Sequence, residues 1–302
     1  MTSVSFGSEA PEETGPEVAP AGSLRRRLAF TRSWTVRAAL VVLGLVLGVA
    51  FVGPYFAPYS PSAIPGIPFS TPSHTYWLGI DYLGEDVFSR VLSGGRAIIL
   101  YGAVATALAY LVGGSIGLLA GYTRTRLDDV LMRAMDVLLA FPPILFLLIV
   151  ATGAGANIVA LVVAIAIIHV PSIARILRTA TLEVSVRGYV EAAVARGDRT
   201  VTILRREILP NIWGPIVADG GPRFTVSILL VAAVNFLGLG VAPPTADWAL
   251  MISENREGIT INPWAVVAPA LMIAALTVSI NVIADAIAAS LGTSVETETL
   301  RR

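Results

Sequence analysis

VLLAFPPILFLLIVATGAGANIVALVVAIAIIHVPSIA, Val137–Ala174, runs for 38 residues without a single Asp, Glu, Lys or Arg. A helix needs about 20 apolar residues to cross a hydrocarbon core of roughly 30 Å, so this stretch is nearly two crossings long. GAGAN, Gly153–Asn157, is a turn signal that divides it. The division predicts one span near 129–151 and another near 157–175.

Four further charge-free stretches lie outward from this one: Ala38–Ile80, Ala97–Thr123, Phe224–Ala246 and Gly258–Ala284. The first can cross only in its front part, about Trp34–Phe56. PYFAPYSPSAIPGIPFSTP (Pro54–Pro72) follows and holds too much proline to remain helical. Six spans are expected, near 34–56, 96–121, 129–151, 157–175, 212–241 and 264–290. The fold class is therefore an all-α, polytopic membrane protein. Residues 1–33 read as a disordered acidic tail, 34–76 as the first span and the start of an outer loop, and 77–302 as the main domain. The apolar run after the tail is too long, and too far from the N-terminus, for a cleaved leader.

Composition agrees and excludes other classes. Hydrophobic residues make up 55% and charged residues 14% of 302, against about 25% charged in a typical soluble domain. The 21 basic residues balance 21 acidic ones, and all 21 are arginine. With no basic excess there is no footprint for nucleic acid. The absence of cysteine removes disulfides, thiolate metal sites and cysteine nucleophiles. His74 and His169, far apart, make a poor metal site. The absence of lysine removes a Walker A loop, whose Lys and Ser/Thr hold phosphates, so this chain carries no P-loop ATP site.

Arginine positions orient the spans. With the N-terminus inside, seventeen arginines fall on the inner side, three (Arg90, Arg96, Arg256) outside, and Arg223 within the fifth span. That is a strong positive-inside asymmetry, and it places both termini in the cytoplasm. Between spans four and five lies an inner loop, 176–211, far longer than a connector needs. Thr179–Arg196 reads as a helix stopped by Gly197, and Thr200–Ile208 as a second short helix before Pro210. Small Ala192, Ala193 and Ala195 near the bend would admit close approach by a partner. An amphipathic loop lying on lipid headgroups reads equally well from the residues alone.

Glu191-Ala192-Ala193, Gly197 and Leu209-Pro210-Asn211 resemble the EAA loop of ABC-importer permeases. WLGIDYLGEDVFSRVLSGGR (Trp77–Arg96), LLAGY (Leu118–Tyr122), MRAMDVLLAFPPILF (Met132–Phe146), NFLGLGVAPPTADWALMISENRE (Asn235–Glu257) and PWAVVAPALMI (Pro263–Ile273) are similar to the C-type permease subunit of the dipeptide/oligopeptide/nickel branch. The resemblance runs over about 77–290 in the correct order. Ile80, Glu85, Asp198 and Glu207 depart from the branch pattern. The resemblance implies a type I ABC-importer permease fold with a cytoplasmic coupling helix. It implies ATPase coupling through Glu191, Ala192, Ala193, Gly197, Leu209 and Pro210. Implied partners are a homologous second permease, two ATP-binding subunits that hold ATP and magnesium, and an extracytoplasmic substrate-binding protein, all at the cytoplasmic membrane of a prokaryote. The implied cargo is di- or oligopeptide, with nickel or oligosaccharide as alternatives. A stand-alone secondary transporter is the rival; it calls for internal symmetry or a chain of intramembrane charges, and neither is clear here.

Asp219 and Arg223 stand at i, i+4 and can pair on one helix face. They read either as interface structure or as pathway lining, because Gly220-Gly221-Pro222 is expected to break the helix between them. Asp136 reads as a helix-end partner of Arg133, and His169 as hydrogen-bonded to a neighbouring helix. Asp81, Glu85 and Asp86 precede a short outer helix, Asp86–Ser93, where capping accounts for them. Together with loop 242–263 they form the surface a delivery protein would meet.

Overall fold

In the computed structural model, residues 33–123, 126–155 and 157–299 are described, apart from the side chains of Leu127 and 291–299. The tail expected over 1–33 lies, except for Ser33, outside the described residues, as do Arg124, Arg301 and Arg302. Among the described residues there is no strand, and a single isolated bridge joins Ile80 and Asp86.

Helix α1 (Trp34–Phe51) starts at Ser33, whose hydroxyl accepts from the Val36 N–H at 3.2 Å, one of the donors every helix start leaves open. A short 3₁₀ turn, Gly53–Phe56, follows. The proline-rich segment then runs without regular structure to α2 (Val87–Ser93). Helix α3 (Gly95–Thr123) crosses next, then α4 (Arg126–Leu139) and α5 (Pro143–Ala154). Helix α6 (Ile158–Ser185) is N-capped by Asn157, whose side chain accepts from Val159 at 3.0 Å and Ala160 at 3.2 Å. Beyond it come α7 (Gly188–Ala195), α8 (Thr200–Ile203), a π turn over Leu204–Ile208, α9 (Trp213–Phe236), α10 (Trp248–Asn255) and α11 (Trp264–Thr299).

Five of these helices are long and apolar enough to cross a membrane. The sixth crossing differs from the expected single span at 129–151. Asp128–Leu139 and Pro143–Ala154 meet at an angle of 81°. The cause is Pro142-Pro143, since proline disfavours α geometry in the residue before it and has no N–H for the preceding turn. The fifth span departs the other way. Helix α9 passes through Gly220-Gly221-Pro222 unbroken. Pro222 forfeits one hydrogen bond only, and Gly221 lies so close to α11 that an added Cβ would stand 2.2 Å from the Ala284 Cβ. That close packing holds the helix where isolated propensity would end it.

The most extensive helix contact joins α3 to α6. Gly113, Gly117 and Gly121 repeat at i, i+4, i+8 and form a groove for the α6 backbone. A Cβ on Gly117 would lie 2.4 Å from the Ala174 carbonyl oxygen, and one on Gly113 would lie 2.7 Å from that of Val170. Between membrane helices lipid is as apolar as leucine, so close backbone approach of this kind supplies much of the attraction. The main apolar core joins α1, α3, α5, α6, α9, α10 and α11. A second cluster, toward loop 176–211, joins α3 and α6 to α7 and the segment 203–212.

Candidate functional site

Helix α7 stands on the second apolar cluster. Val190 and Ala193 point inward and are fully buried among Leu177, Ala180, Val184, Ile203, Leu204, Ile208 and Ile212. Glu191, Ala192, Val194 and Ala195 face outward and are exposed. The helix expected over Thr179–Arg196 is thus two helices, with the chain extended at Arg187. A continuous helix would carry Val190 and Ala193 away from Val184; the bend returns them to the same cluster. The second helix, expected over Thr200–Ile208, likewise gives way to a π turn after Ile203, and the wider turn keeps both Leu204 and Ile208 buried.

Gly197 terminates α7 at φ +78°, a conformation that costs other L-residues dearly. The Asp198 N–H donates to the Ala193 carbonyl at 3.2 Å and the Gly197 N–H to that of Val194 at 2.9 Å, the paired bonds of a Schellman cap. Arg196 bridges Asp198 at 3.0 Å and approaches Glu207 at 3.8 Å, tying the cap to the π turn. The six residues singled out by resemblance therefore divide. Glu191, Ala192, Gly197 and Pro210 are exposed, Leu209 is half-buried, and Ala193 is a packing residue beneath them.

Asp219 and Arg223 do pair on one face of α9: Nε of Arg223 donates to both carboxylate oxygens, at 3.0 and 3.1 Å. A third member was not legible in the sequence. The Tyr110 hydroxyl of α3 donates to Asp219 Oδ2 at 2.8 Å. His169, on α6, lies within the electrostatic field of this pair. Contrary to the expected interhelical bond, its Nε2 is buried without a hydrogen-bond partner. Asp136 also departs from expectation: its partner is Arg175 on α6, not Arg133. Nearby, Arg178 forks onto Asp128, with Nε donating at 2.7 Å and Nη2 at 2.5 Å, which fastens α4 to α6.

On the outer side only Asp86 caps α2, accepting from the Ser89 N–H at 2.9 Å. Asp81 and Glu85 instead turn inward onto a fully buried Arg90, Glu85 at 2.5 Å, and Glu254 of α10 joins them at 3.1 Å. Capping fitted Asp81 and Glu85 because Arg90, their partner, is buried through contact with Glu254 of α10, 164 residues away. Burial pushes the Glu85 carboxyl up to about 7; Arg90 opposes that rise, while Asp81 and Glu254 add to it. Burial raises Glu254 as well. Asn262 donates to the Leu78 and Ile80 carbonyls at 3.0 and 3.1 Å, and the buried Trp248 donates to that of Val91 at 2.8 Å. The outer loops thus form one locked lobe. Among the described residues no group of three His, Asp or Glu could hold a metal ion.

A family profile described as "Binding-protein-dependent transport system inner membrane component" matches residues 113–293. The glutathione transport system permease protein GsiD of Pectobacterium atrosepticum is 36% identical, covering 85% of this chain and 86% of that protein. The dipeptide transport system permease protein DppC of Alkalihalophilus pseudofirmus is 32% identical, covering 82% and 83%. The di/tripeptide transport system permease protein DppC of Pseudomonas aeruginosa is 32% identical, covering 85% and 87%. Among solved structures, a chain of the MetNI methionine ABC transporter, in inward-facing conformation, superposes with a TM-score of 0.54 at 18% identity. That match covers 66% of this chain and 94% of the other. The fold is that of an ABC-transporter permease.

Proposed function

Because the chain belongs to the family of binding-protein-dependent transport-system inner membrane components, we propose that it is one of two homologous permease subunits of an ATP-driven importer of short peptides. In this reading the cytoplasmic membrane of a prokaryote holds the complex, and both termini are cytoplasmic. Two partner subunits bind and hydrolyse ATP with magnesium, and this chain catalyses no reaction itself. An extracytoplasmic binding protein delivers the peptide to the outer lobe. The relatives named for glutathione, dipeptide and di/tripeptide transport support the cargo class.

The observation that carries the reading is the state of α7: locked on its inner side, bare on its outer side, and ended by a rigid cap. Glu191, Ala192 and Gly197 form the surface a moving ATPase subunit grips. Ala193 is the packing residue that passes the push into the cluster shared with α3, α6 and α9. Leu209 and Pro210 join that cluster to α9. Closure of the ATPase pair then biases the bundle between inward- and outward-facing states through differential contact with the two.

Purification of the tagged chain from its host membrane tests this. ATPase subunits and a second permease should co-purify, and the reconstituted complex should take up peptide only with ATP. Replacing exposed Ala192 by Trp should release the ATPase subunits while the permease pair stays together. Peptide uptake by the purified chain alone would sink the reading.

A further inference from the structure

Arg223 is the eleventh of the 24 residues of α9, about 15 Å from its start at 1.5 Å per residue. Thirteen residues of α9, about 20 Å, still follow it, so Arg223 lies within the span and not at its end. A guanidinium there is tolerated only toward the bundle interior or a water-filled cavity. Yet 22% of the Arg223 side chain and 15% of that of Asp219 remain exposed on the isolated chain. The exposed part therefore faces water or a partner subunit, not lipid.

Only one of its five N–H donors is used among the described residues. Asp219 takes the Nε hydrogen, and Tyr110 holds Asp219 in place from α3. The terminal nitrogens Nη1 and Nη2 have no acceptor among the described residues, which leaves four N–H donors in one plane. Two further polar groups in the region are short of their usual partners. His169 Nε2 is one. The Ala218 carbonyl is the other in the sense that it loses its usual helical donor, because Pro222, four residues on, has no N–H.

We propose that Arg223, positioned by Asp219 and Tyr110, receives the terminal carboxylate of the translocating peptide through its Nη fork within the membrane. The proposal rests on the peptide-importer reading. A planar fork matches a carboxylate with two parallel charge-assisted hydrogen bonds, which a lysine cannot reproduce. Asp219 neutralises the resting guanidinium, so the site stays stable between cargoes and holds each one only briefly. Tyr110 and Asp219 act through Arg223 as positioning residues.

The test uses the whole complex in proteoliposomes with its binding protein at saturation. Uptake of a tripeptide is compared with that of the same tripeptide amidated at its C-terminus. The readout is the ratio of the two rates, which cancels the binding protein's own preference when wild type and variant are compared. Arg223→Gln should cut uptake of the free acid about tenfold or more and barely change the amide, so the ratio collapses. Arg223→Lys, which keeps the charge in the membrane if the Gln variant fails to assemble, should lower the ratio severalfold. Tyr110→Phe should lower it in the same direction. An equal loss for both peptides, as expected of a bridge to the second permease, would overturn the proposal. So would an unchanged ratio in both Arg223 variants. If the wild-type complex takes up neither peptide, the cargo reading falls and the proposal with it.

Discussion

Gly197 occupies φ +78° with open space on every side, so no neighbour would resist a side chain there and the backbone alone demands glycine. A β-branched residue in that conformation costs roughly 1–2 kcal/mol or more, and the cap would relax by re-routing the Arg196–Asp198 turn. Gly197→Val should therefore leave the complex assembled and hydrolysing ATP while uptake falls at least about tenfold. Gly197→Asn, which tolerates the left-handed region, should keep most uptake. Assay of both rates on one preparation decides it, and normal uptake in the Val variant would discard the coupling role. The outer cluster makes a second residue-scale case. Arg90 faces three carboxylates without solvent. Arg90→Met strands them and should destabilise the lobe by about 3–5 kcal/mol. Glu85, with its folded pKa raised to about 7, holds its proton more tightly folded than unfolded. Its contribution is full below the unfolded value and is lost as pH rises toward 7. The hydrogen-exchange protection factor of segment 78–93, with the intrinsic base-catalysed rise of exchange with pH divided out, should be larger at pH 5 than at pH 8, and Glu85→Gln should flatten that difference. A smaller protection factor at pH 5 than at pH 8 in the wild type would reverse the sign. Sequence alone showed the acids and the motif around them but not this cluster, because Glu254 reaches it only through the packing of α10 against the lobe.

At the scale of elements, composition announced the membrane helices and left their breaks to tertiary packing. Pro142-Pro143 and Gly220-Gly221-Pro222 are comparable breaker signals, yet the first bends the chain by 81° and the second leaves α9 whole. The difference is the neighbour: α9 is held against α11 at Gly221, whereas the residues at the bend, Ala140 and Phe141, are exposed. The glycine repeat at 113, 117 and 121 was available to the eye, and its period of four is the signal for close helix approach. Gly117→Ala should fail where such a change is usually mild, because even one methyl meets the Ala174 carbonyl oxygen at 2.4 Å. The thermal midpoint of the detergent-purified complex should fall by several degrees. Gly44→Ala on α1 has no atom within 4 Å of the new methyl and should leave the midpoint unchanged or raised. Equal effects at both positions would mean that the α3–α6 groove is not as tight as this packing requires.

For the whole molecule, the arginine distribution and the described helices imply one arrangement. Loop 176–211, with seven of the chain's arginines within or just before it, lies on the side opposite the locked lobe of 57–94 and 242–263. Helix α9 alone separates loop 176–211 from 242–263, and since 57–94 packs against 242–263, α4 and α5, despite their bend, count as one passage between α3 and α6. A re-entrant pair would set 57–94 and 242–263 on opposite sides of the membrane, against the Arg90–Glu254 and Asn262–Ile80 contacts that join them. The chain's lack of cysteine makes the choice measurable, since any single introduced thiol reports alone. Thr200→Cys beside α7 and Ser73→Cys in the lobe are exposed on the folded chain. With intact cells and a membrane-impermeant maleimide, Ser73→Cys should label at once and Thr200→Cys only after permeabilisation. Labelling of both from outside would contradict the packing of 57–94 against 242–263 and remove α7 from the reach of any cytoplasmic ATPase. It would then overturn the coupling surface itself, since α7 has no other route to an ATP-driven partner.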